Sequence, residues 1–323
     1  MRNWAAEFLT IVSIAVILLC GGCNKAPRET LALDWKPEPE FGGFYQAQLS
    51  GAFKQHGLAL QIQSAGEGAP TWQLVDTGKT EFATTAADQV LIARAQGADI
   101  VALFAVYQTF PQGIMVHKAR GFTKIDDVFS NDGTLAAEED TWLKFLNAKF
   151  TPFKVKEVGY SGGIGPFLAK PDYSQQCFVT SEPLQAEAQG GDPQTFLIAE
   201  AGYNPYTTVV ICKGDLVRKD PARVKAMAMA CREGWRAYLD NPSAANAEMG
   251  KLNKDMDAAT FAKAAKAQAR LIESEETRKS TLGVMTTERW TSLGQQLLKL
   301  KVIDNAPAPE SCFVDVDKLA DGH

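Results

Sequence analysis

The sequence predicts an α/β protein with two lobes, one inserted into the other, followed by a helical C-terminal region. Three observations lead to this fold class. Strand-like apolar runs alternate with amphipathic helical runs, which is the pattern of a largely parallel sheet covered by helices. The alternation repeats on a smaller scale in the middle of the chain, and beyond residue 212 helix follows helix. A chain of 323 residues is also long enough for two domains.

In the first lobe, four predicted strands are separated by three predicted helices. The strands are 30–34, 58–63, 81–84 and 100–106, and the helices are 43–55, 70–77 and 86–95. The strand at 100–106 is apolar throughout, which predicts burial on both faces. Thr85 and Asp88 have the spacing of a capping box, which places a helix start directly after a strand.

The second lobe and the tail are predicted in the same way. Strands are predicted at 133–136, 153–158, 177–180, 196–198 and 207–212, and helices at 139–150, 163–169, 222–239, 243–253, 258–272 and 288–300. Asp220-Pro221 and Asn241-Pro242 each place a capping side chain before a proline, which is a strong signal for a helix start. The predicted domains are a first lobe of residues 31–113, an inserted lobe of 114–206, and 207–323 as the rest of the first lobe with the C-terminal helices.

Composition and charge narrow the function. Thirty-three Lys and Arg against 38 Asp and Glu give a net charge of −5, and no basic run is present, so the protein is not expected to bind nucleic acid. Only three histidines occur, at His56, His117 and His323, which argues against a histidine-based metal site or catalytic triad. We therefore predict no catalytic residues and no metal, and we also expect a monomer without a cofactor.

The N-terminus has the features of a secretion signal. Residues 8–20 are mostly apolar but too short to span a bilayer, and Leu19-Cys20-Gly21-Gly22-Cys23 follows. This segment resembles a bacterial lipobox, which predicts a signal peptide at 1–22, lipidation of Cys23, a tether at 23–30 and a membrane-anchored extracytoplasmic protein. The alternative is a non-lipidated signal peptide that is cleaved near Gly22 or Ala26. Four further cysteines, Cys177, Cys212, Cys231 and Cys312, contain no Cys-x-x-Cys pair, and the sequence leaves open whether they form disulfides or buried thiols.

Five motifs, in order, resemble bacterial ABC-transporter substrate-binding proteins of the nitrate, sulfonate, taurine and thiamine-precursor group. They are Asp34-Trp35 with a proline-containing loop and an aromatic helix, Ala87-Asp88 to Arg94, Gln108-x-x-Pro111-x-Gly113-Ile114, Thr180-Ser181-Glu182-Pro183, and Asp220-Pro221 to Asn241-Pro242. The resemblance implies a two-lobed type II periplasmic-binding-protein fold that closes on a small ligand by hinge motion. It also implies an ABC-transporter permease as the partner.

Candidate ligand-binding residues come from strand ends, aromatic positions and a glycine-rich turn. They are Trp35, Phe41, Phe44, Tyr45, Thr84, Thr85, Gln108, Ser161, Gly162, Gly163, Glu182 and Tyr206. Trp35 follows the first strand directly, and ligands bind beyond the carboxyl ends of strands in such sheets. Glu182 follows a strand too and offers a charged acceptor for amino groups. Other roles stay open: Phe44 as core, the two threonines as caps, Gln108 as hinge, and Glu182 as an acid at a helix start.

A run of three acids, Glu138-Glu139-Asp140, stands where the similar proteins have a glycine-rich turn. Together with Glu182 and the aromatics it favours a heteroaromatic, amino-bearing ligand, similar to a thiamine-pyrimidine precursor or a flavin. The acids also suit a plain helix start. One alternative ligand is a small anion such as an alkanesulfonate, taurine or nitrate. A second alternative is a thiamine-pyrimidine synthase, but those relatives use a lysine-bound pyridoxal phosphate, a histidine and clustered cysteines that have no match here.

Overall fold

The computed structural model describes residues 29–64, 66, 70–273 and 281–319. The predicted signal peptide at 1–22, the lipidation site Cys23 and the tether up to residue 28 lie outside the described residues. Glu29 and Thr30, the end of the predicted tether, already belong to the first strand. In the described ranges, no helix has both the length and the apolar character needed to cross a membrane.

Ten strands in the described ranges form two separate five-stranded sheets. They are β1 Glu29–Leu33, β2 Leu60–Ser64, β3 Phe82–Thr85, β4 Ile100–Tyr107, β5 Gln112–His117, β6 Thr134–Ala137, β7 Lys156–Gly159, β8 Tyr173–Phe178, β9 Pro193–Leu197 and β10 Thr207–Lys213. The first sheet has the order β2-β1-β3-β10-β4 and the second the order β7-β6-β8-β5-β9. The chain therefore leaves the first sheet after β4 and returns to it as β10. We call the first sheet and its helices lobe I, and the second sheet and its helices lobe II.

Fourteen α-helices are described, and the last five form the C-terminal helical region. They are α1 Gly42–Ser50, α2 Ala52–Gln55, α3 Thr71–Asp76, α4 Ala87–Ala95, α5 Ile125–Ser130, α6 Thr141–Phe150, α7 Gly165–Ala169, α8 Glu182–Ala188, α9 Gly214–Lys219, α10 Pro221–Asp240, α11 Ser243–Leu252, α12 Ala258–Ile272, α13 Thr287–Lys299 and α14 Pro309–Cys312. The predicted α/β class with C-terminal helices is confirmed. The exact domain bounds stay a prediction, and β5 of lobe II begins two residues before the predicted bound of 114.

The sheets are mixed rather than largely parallel. In lobe I, β10 runs antiparallel to both of its neighbours, β3 and β4. In lobe II, β5 runs antiparallel to β8 and β9. Both strands directly follow a crossing between the lobes, so their direction is set by how the chain enters the sheet and not by a short connection to a neighbouring strand. β5 is not among the strands predicted from the sequence, where its first residues belong to the motif from Gln108 to Ile114.

The predicted helix starts are mostly present, with two corrections. The N-cap of α11 is Pro242 rather than Asn241, which instead accepts a hydrogen bond from the N–H of Ser243 at 3.2 Å. Asp220 accepts a hydrogen bond from the backbone N–H of Arg223 at 3.0 Å, and Asp257 caps α12 in the same way through Thr260. The capping box at Thr85 is wrong, because the residue before α4 is Ala86 and no side chain caps that helix. Thr85 is the last residue of β3, so its backbone is held by the sheet.

Cys177, Cys212, Cys231 and Cys312 are all buried free thiols. Burial raises the pKa of each thiol above its usual value, so these groups are protonated and unreactive at neutral pH. They act as small apolar side chains in the described core.

Helices α1 and α10 pack against each other without intervening side chains at one point. A Cβ atom added to Gly234 of α10 would clash with the carbonyl oxygen of Gly43 and would lie 2.5 Å from Cβ of Ala47. Only glycine permits this approach of two backbones. The pair of helices carries much of the lobe I core, including Phe44 and Trp235.

We expect Gly234→Ala to destabilise the protein by about 1–3 kcal/mol, because the added methyl group overpacks this contact. Urea unfolding followed by tryptophan fluorescence measures the effect. Gly250→Ala is the matched control, since its Cβ would only touch Phe261 at 3.7 Å. There the better helix propensity of alanine should stabilise by up to about 1 kcal/mol. Equal effects of the two variants would contradict the close-contact argument.

Candidate ligand cleft

A cavity of about 410 Å³ lies between the two lobes. Its walls come from the carboxyl ends of β1 and β3 in lobe I and of β6, β7 and β8 in lobe II, the place where α/β sheets bind ligands. Twenty-four residues line it: Asp34, Trp35, Glu38, Glu40, Pro70, Trp72, Thr85, Ala86, Asp88, Gln89, Phe110, Gln112, Glu138, Glu139, Asp140, Trp142, Tyr160, Gln176, Cys177, Phe178, Ser181, Glu182, Thr207 and Thr208.

Three of the twelve candidate residues lie on this cavity. Trp35 and Thr85 line it from lobe I, each next to a strand end, and Glu182 lines it from lobe II at the start of α8. The acidic run Glu138 to Asp140 lines it as well. Asp140 also caps α6, because its carboxylate accepts a hydrogen bond from the N–H of Thr141 at 2.6 Å. The run therefore starts a helix and also lines the cavity, and its contact with a ligand stays a prediction.

The three aromatic candidates on and before α1 are core residues, not cavity residues. Phe41, Phe44 and Tyr45 are at most 4% exposed. Phe44 packs edge-to-face on Trp235 of α10, with ring centroids 5.7 Å apart. The expectation that these residues contact ligand is corrected by the packing of α1 on α10, which turns the aromatic face of the helix away from the cleft.

Three polar candidates make structural hydrogen bonds behind the cavity wall. The Thr84 hydroxyl donates to the Asp34 carboxylate. The Gln108 side chain donates to the carbonyl of Val284 at 3.2 Å, and the Tyr206 hydroxyl accepts from the N–H of Thr286 at 3.1 Å. None of the three lines the cavity, so Thr84 positions Asp34 while Gln108 and Tyr206 tie the crossings between the lobes to the segment before α13.

The glycine-rich turn of lobe II is exposed and lies outside the cavity lining. Ser161, Gly162 and Gly163 are all exposed, and the two glycines have left-handed backbones with φ of 81° and 71°. The carbonyl of Gly163 accepts a hydrogen bond from Gln175 at 3.1 Å. The residue just before the turn, Tyr160, reaches the cavity instead.

Three carboxyl groups from the two lobes meet at one end of the cavity. Glu38 and Glu40 belong to the turn before α1, and Glu182 belongs to lobe II. Glu182 accepts hydrogen bonds from the N–H of Phe178 at 2.7 Å and from the Tyr160 hydroxyl at 3.3 Å. Burial raises the pKa of Glu182 to about 7, and the Glu38 charge adds to the rise. Burial also raises the pKa of Glu38, and more strongly that of Glu40.

A second pair of acids, Asp88 of lobe I and Asp140 of lobe II, lies in the same cavity. Asp88 accepts hydrogen bonds from the Tyr203 hydroxyl at 2.6 Å and from the N–H of Gln89 at 2.8 Å. Burial raises its pKa to about 7, and the Asp140 charge contributes to the rise. The cavity thus holds two places where carboxyl groups from opposite lobes repel each other.

Six aromatic side chains also line the cavity. They are Trp35, Trp72, Phe110, Trp142, Tyr160 and Phe178. Eight acids line the cavity with them, and no Lys, Arg or His is found among the described lining residues. The combination suits a flat ligand with hydrogen-bond donors or positive charge, because aromatic faces stack on rings and carboxylates accept from N–H groups.

The sequence reading missed several of these residues. Trp72 and Trp142 lie in the first turns of α3 and α6, and Glu40 lies two residues before the start of α1. Thr208 is a further case: it lines the cavity with φ of 52°, a left-handed conformation that is unfavourable for a β-branched residue. Such strain concentrates at functional sites. The two tryptophans could have been predicted from their position, because each is an aromatic residue in the first turn of a helix that follows a sheet strand.

Comparison with known proteins gives one family and one fold. The model of the family described as NMT1/THI5 like matches residues 38–245, which is more than half of the chain. The riboflavin-binding protein RibY of Chloroflexus aurantiacus is 23% identical over 228 residues, covering 67% of this chain and 64% of RibY, just under two thirds of that protein. The 4-amino-5-hydroxymethyl-2-methylpyrimidine phosphate synthase THI11 of Saccharomyces cerevisiae is 26% identical over 240 residues, covering 65% of this chain and 70% of THI11.

Among solved structures, the periplasmic aliphatic sulphonate binding protein SsuA from Escherichia coli superimposes with a TM-score of 0.69 at 12% identity. The superposition covers 91% of this chain and 94% of SsuA. At this identity the similarity concerns the fold, and the predicted type II periplasmic-binding-protein fold is confirmed.

Proposed function

The chain belongs to the NMT1/THI5-like family, and from that premise we propose that it is a solute-binding protein that holds a flat, amino-bearing heteroaromatic molecule between its two lobes. The ligand would be similar to a thiamine-pyrimidine precursor or a flavin. The pyrimidine named for THI11 and the riboflavin named for RibY are both heteroaromatic compounds, which supports this ligand class.

One observation carries the proposal: the cavity between the lobes combines six aromatic and eight acidic side chains without a basic one among its described lining residues. An amino-bearing ring finds stacking faces on Trp35 and Trp142 and acceptors on Glu182. A sulfonate or nitrate would enter a site that repels it, since like charges a few ångströms apart interact unfavourably in a partly buried cleft. The anion alternative is therefore disfavoured.

Binding, rather than synthesis, suits the residues present. Pyridoxal phosphate needs a lysine for its aldehyde and cationic or N–H donors for its phosphate, and the described lining residues offer neither lysine nor arginine. The residues do not fit that cofactor. The two described histidines lie outside the cavity lining: His56 forms a hydrogen bond with Glu233 at 2.8 Å, and His117 stacks on Phe167 with ring centroids 4.0 Å apart.

The proposed cellular role is delivery of the captured molecule to the permease of an ABC importer. The protein would act outside the cytoplasm as a monomer, held at the membrane by a lipid on Cys23. Two connections, 108–111 and 198–206, join the lobes, so ligand would favour a closed form by contacting both lobes at once.

We expect Glu182→Gln to weaken binding of the pyrimidine 4-amino-5-hydroxymethyl-2-methylpyrimidine roughly ten- to a hundred-fold, because a charge-assisted hydrogen bond contributes about 1.5–3 kcal/mol. Trp35→Ala should weaken the same ligand by about tenfold through loss of a stacking face. Isothermal titration of wild-type protein and both variants with this pyrimidine, riboflavin and taurine measures the effects.

Glu200→Gln is the control, since it removes one exposed acid that does not line the cavity, and it should leave binding unchanged. Taurine as the tightest of the three ligands, with Glu182→Gln binding it more tightly still, would overturn the amino-heteroaromatic proposal. Unchanged binding by both cavity variants would show that the ligand lies elsewhere.

A further inference from the structure

Glu40 is an unusual residue for a protein interior. It is 8% exposed and lines the cavity, yet no hydrogen bond or ion pair to its carboxyl group is found among the described residues. Burial of a carboxylate without a partner is costly, and the cost persists only where it serves a purpose. Glu38, in contrast, has the Ser181 side chain of lobe II as a neighbour that lowers its pKa, and Glu182 has two hydrogen-bond donors.

The charged groups that face Glu40 are themselves acids. Glu38, Asp34 and Glu182 all oppose ionisation of Glu40. Lys36, a base whose charge acts on Glu38, lies 4.0 Å from Glu38 and 3.0 Å from Asp255. At the other end of the cavity Asp88 faces Asp140, and Lys144, one turn into α6, acts on Asp140. The cleft thus carries an excess of negative charge that its own bases do not balance.

We propose that the cleft takes its heteroaromatic ligand as an organic cation, with the positive charge placed among Glu38, Glu40 and Glu182 and Glu40 as the counter-ion. This inference rests on the proposed function and narrows its ligand class. A cation supplies the missing partner of Glu40 and removes the repulsion between carboxyl groups of the two lobes, so it also favours closure. The aromatic walls add cation–π attraction, about 0.5–2 kcal/mol for each well-placed ring.

The proposal predicts that protons are released when the ligand binds. Burial and mutual repulsion raise the pKa values of Glu38, Glu40 and Glu182, so without ligand part of this cluster is protonated at neutral pH. A cation favours the ionised carboxylates and displaces protons on binding. Its affinity must therefore rise as pH rises through about 7. A neutral heterocycle that accepts hydrogen bonds from protonated carboxyl groups would show the opposite slope.

The test uses a pair of probes that differ in charge. 3-Aminoquinoline is neutral near pH 7, and its N-methyl salt, 3-amino-1-methylquinolinium, has the same ring and amino group with a permanent positive charge. Isothermal titration of the wild-type protein should show at least about tenfold tighter binding of the cation. Titration in two buffers of different ionisation enthalpy should show proton release on cation binding. The same titration about one pH unit higher should show tighter binding of the cation.

Glu40→Gln should abolish the preference for the cation, and Glu200→Gln, with the same loss of charge at an exposed position, should keep it. Equal or weaker binding of the cation by wild-type protein, or proton uptake, overturns the cation inference while leaving the amino-heteroaromatic function intact. Failure of both probes to bind counts against the proposed function itself.

The melting temperature of ligand-free protein tests separately whether Glu40 is a repelled carboxylate without a partner. In ligand-free protein above neutral pH, Glu40→Gln should raise the melting temperature, because it removes a repelled, unpartnered carboxylate, whereas Glu200→Gln should not. A lower melting temperature of the folded Glu40→Gln protein would show that Glu40 already has a stabilising partner, and the counter-ion role would be overturned.

Discussion

Replacement of Gln268 by leucine is expected to destabilise the protein by about 1.5–4.5 kcal/mol. Gln268 on α12 is fully buried, accepts a hydrogen bond from the Tyr107 hydroxyl at 2.6 Å and donates to the carbonyl of Pro39 at 2.8 Å. Leucine keeps the size of the side chain but leaves the buried Tyr107 hydroxyl without its acceptor, which costs about 1–3 kcal/mol. It also removes one of two hydrogen bonds to the Pro39 carbonyl, which still accepts from the N–H of Gly42, and one such bond contributes about 0.5–1.5 kcal/mol.

The effect on the cleft follows from the position of Pro39. It begins the short 3₁₀ turn Pro39–Phe41 that carries Glu40, so loss of the hydrogen bond from Gln268 should also loosen that carboxylate. Gln268 is a positioning residue, and urea unfolding together with titration of a bound ligand separates its two effects. Tyr107→Phe removes one of the two bonds and should have a smaller effect. Lys266→Leu, an exposed change on the same helix, should be nearly neutral, and a Gln268→Leu variant as stable as Lys266→Leu would contradict this account.

The ligand-free protein is expected to become less stable as pH rises from about 5 to about 8. The Asp88 carboxyl has an ordinary pKa of 3.8, raised to about 7 in the fold by burial and by Asp140. A group that binds its proton more tightly in the folded chain stabilises the fold fully below the unfolded pKa, and this contribution is lost as pH rises through the folded pKa. Each pKa unit corresponds to about 1.4 kcal/mol, so Asp88 alone contributes on the order of 4 kcal/mol.

Melting temperatures of protein stripped of ligand by unfolding and refolding measure this dependence. A loss of a few kcal/mol should lower the melting temperature by roughly 2–4 °C per kcal/mol. Asp88→Asn keeps the shape of the side chain and one of its two acceptor oxygens but removes the titrating carboxyl, so it should flatten the profile. Asp132→Asn, at an exposed position, should leave it unchanged. A wild-type melting temperature that rises across this pH range would show that the cleft acids are not the dominant titrating groups.

Most of the fold could be predicted from local sequence patterns. The caps at Asp220 and Asp257 and the bounds of α12 depend on residues close in sequence, so they could be predicted. The antiparallel β10 and β5 could not, because their direction depends on how the chain crosses between the lobes rather than on any local pattern.

The same distinction between local pattern and long-range packing decides which site residues could be predicted from the sequence. Trp35 and Glu182 follow strands directly, so the rule that ligands bind beyond strand ends located them. Phe44 has the same apolar character as a stacking residue, but only the contact of α1 with α10 shows that it faces the core. Glu40 and Trp142 come from different lobes, and their placement in one cavity is a consequence of how the two sheets face each other.

Native mass spectrometry of protein purified under non-denaturing conditions from its own host tests the central claim most directly. The spectrum gives the mass of any molecule held in the cleft, and release by solvent followed by fragmentation gives its class. We predict one bound amino-bearing heteroaromatic molecule per chain, lost from a Trp35→Ala and Glu182→Gln double variant. A sulfonate, nitrate or other small anion bound at the same stoichiometry, and retained by the double variant, would contradict the account.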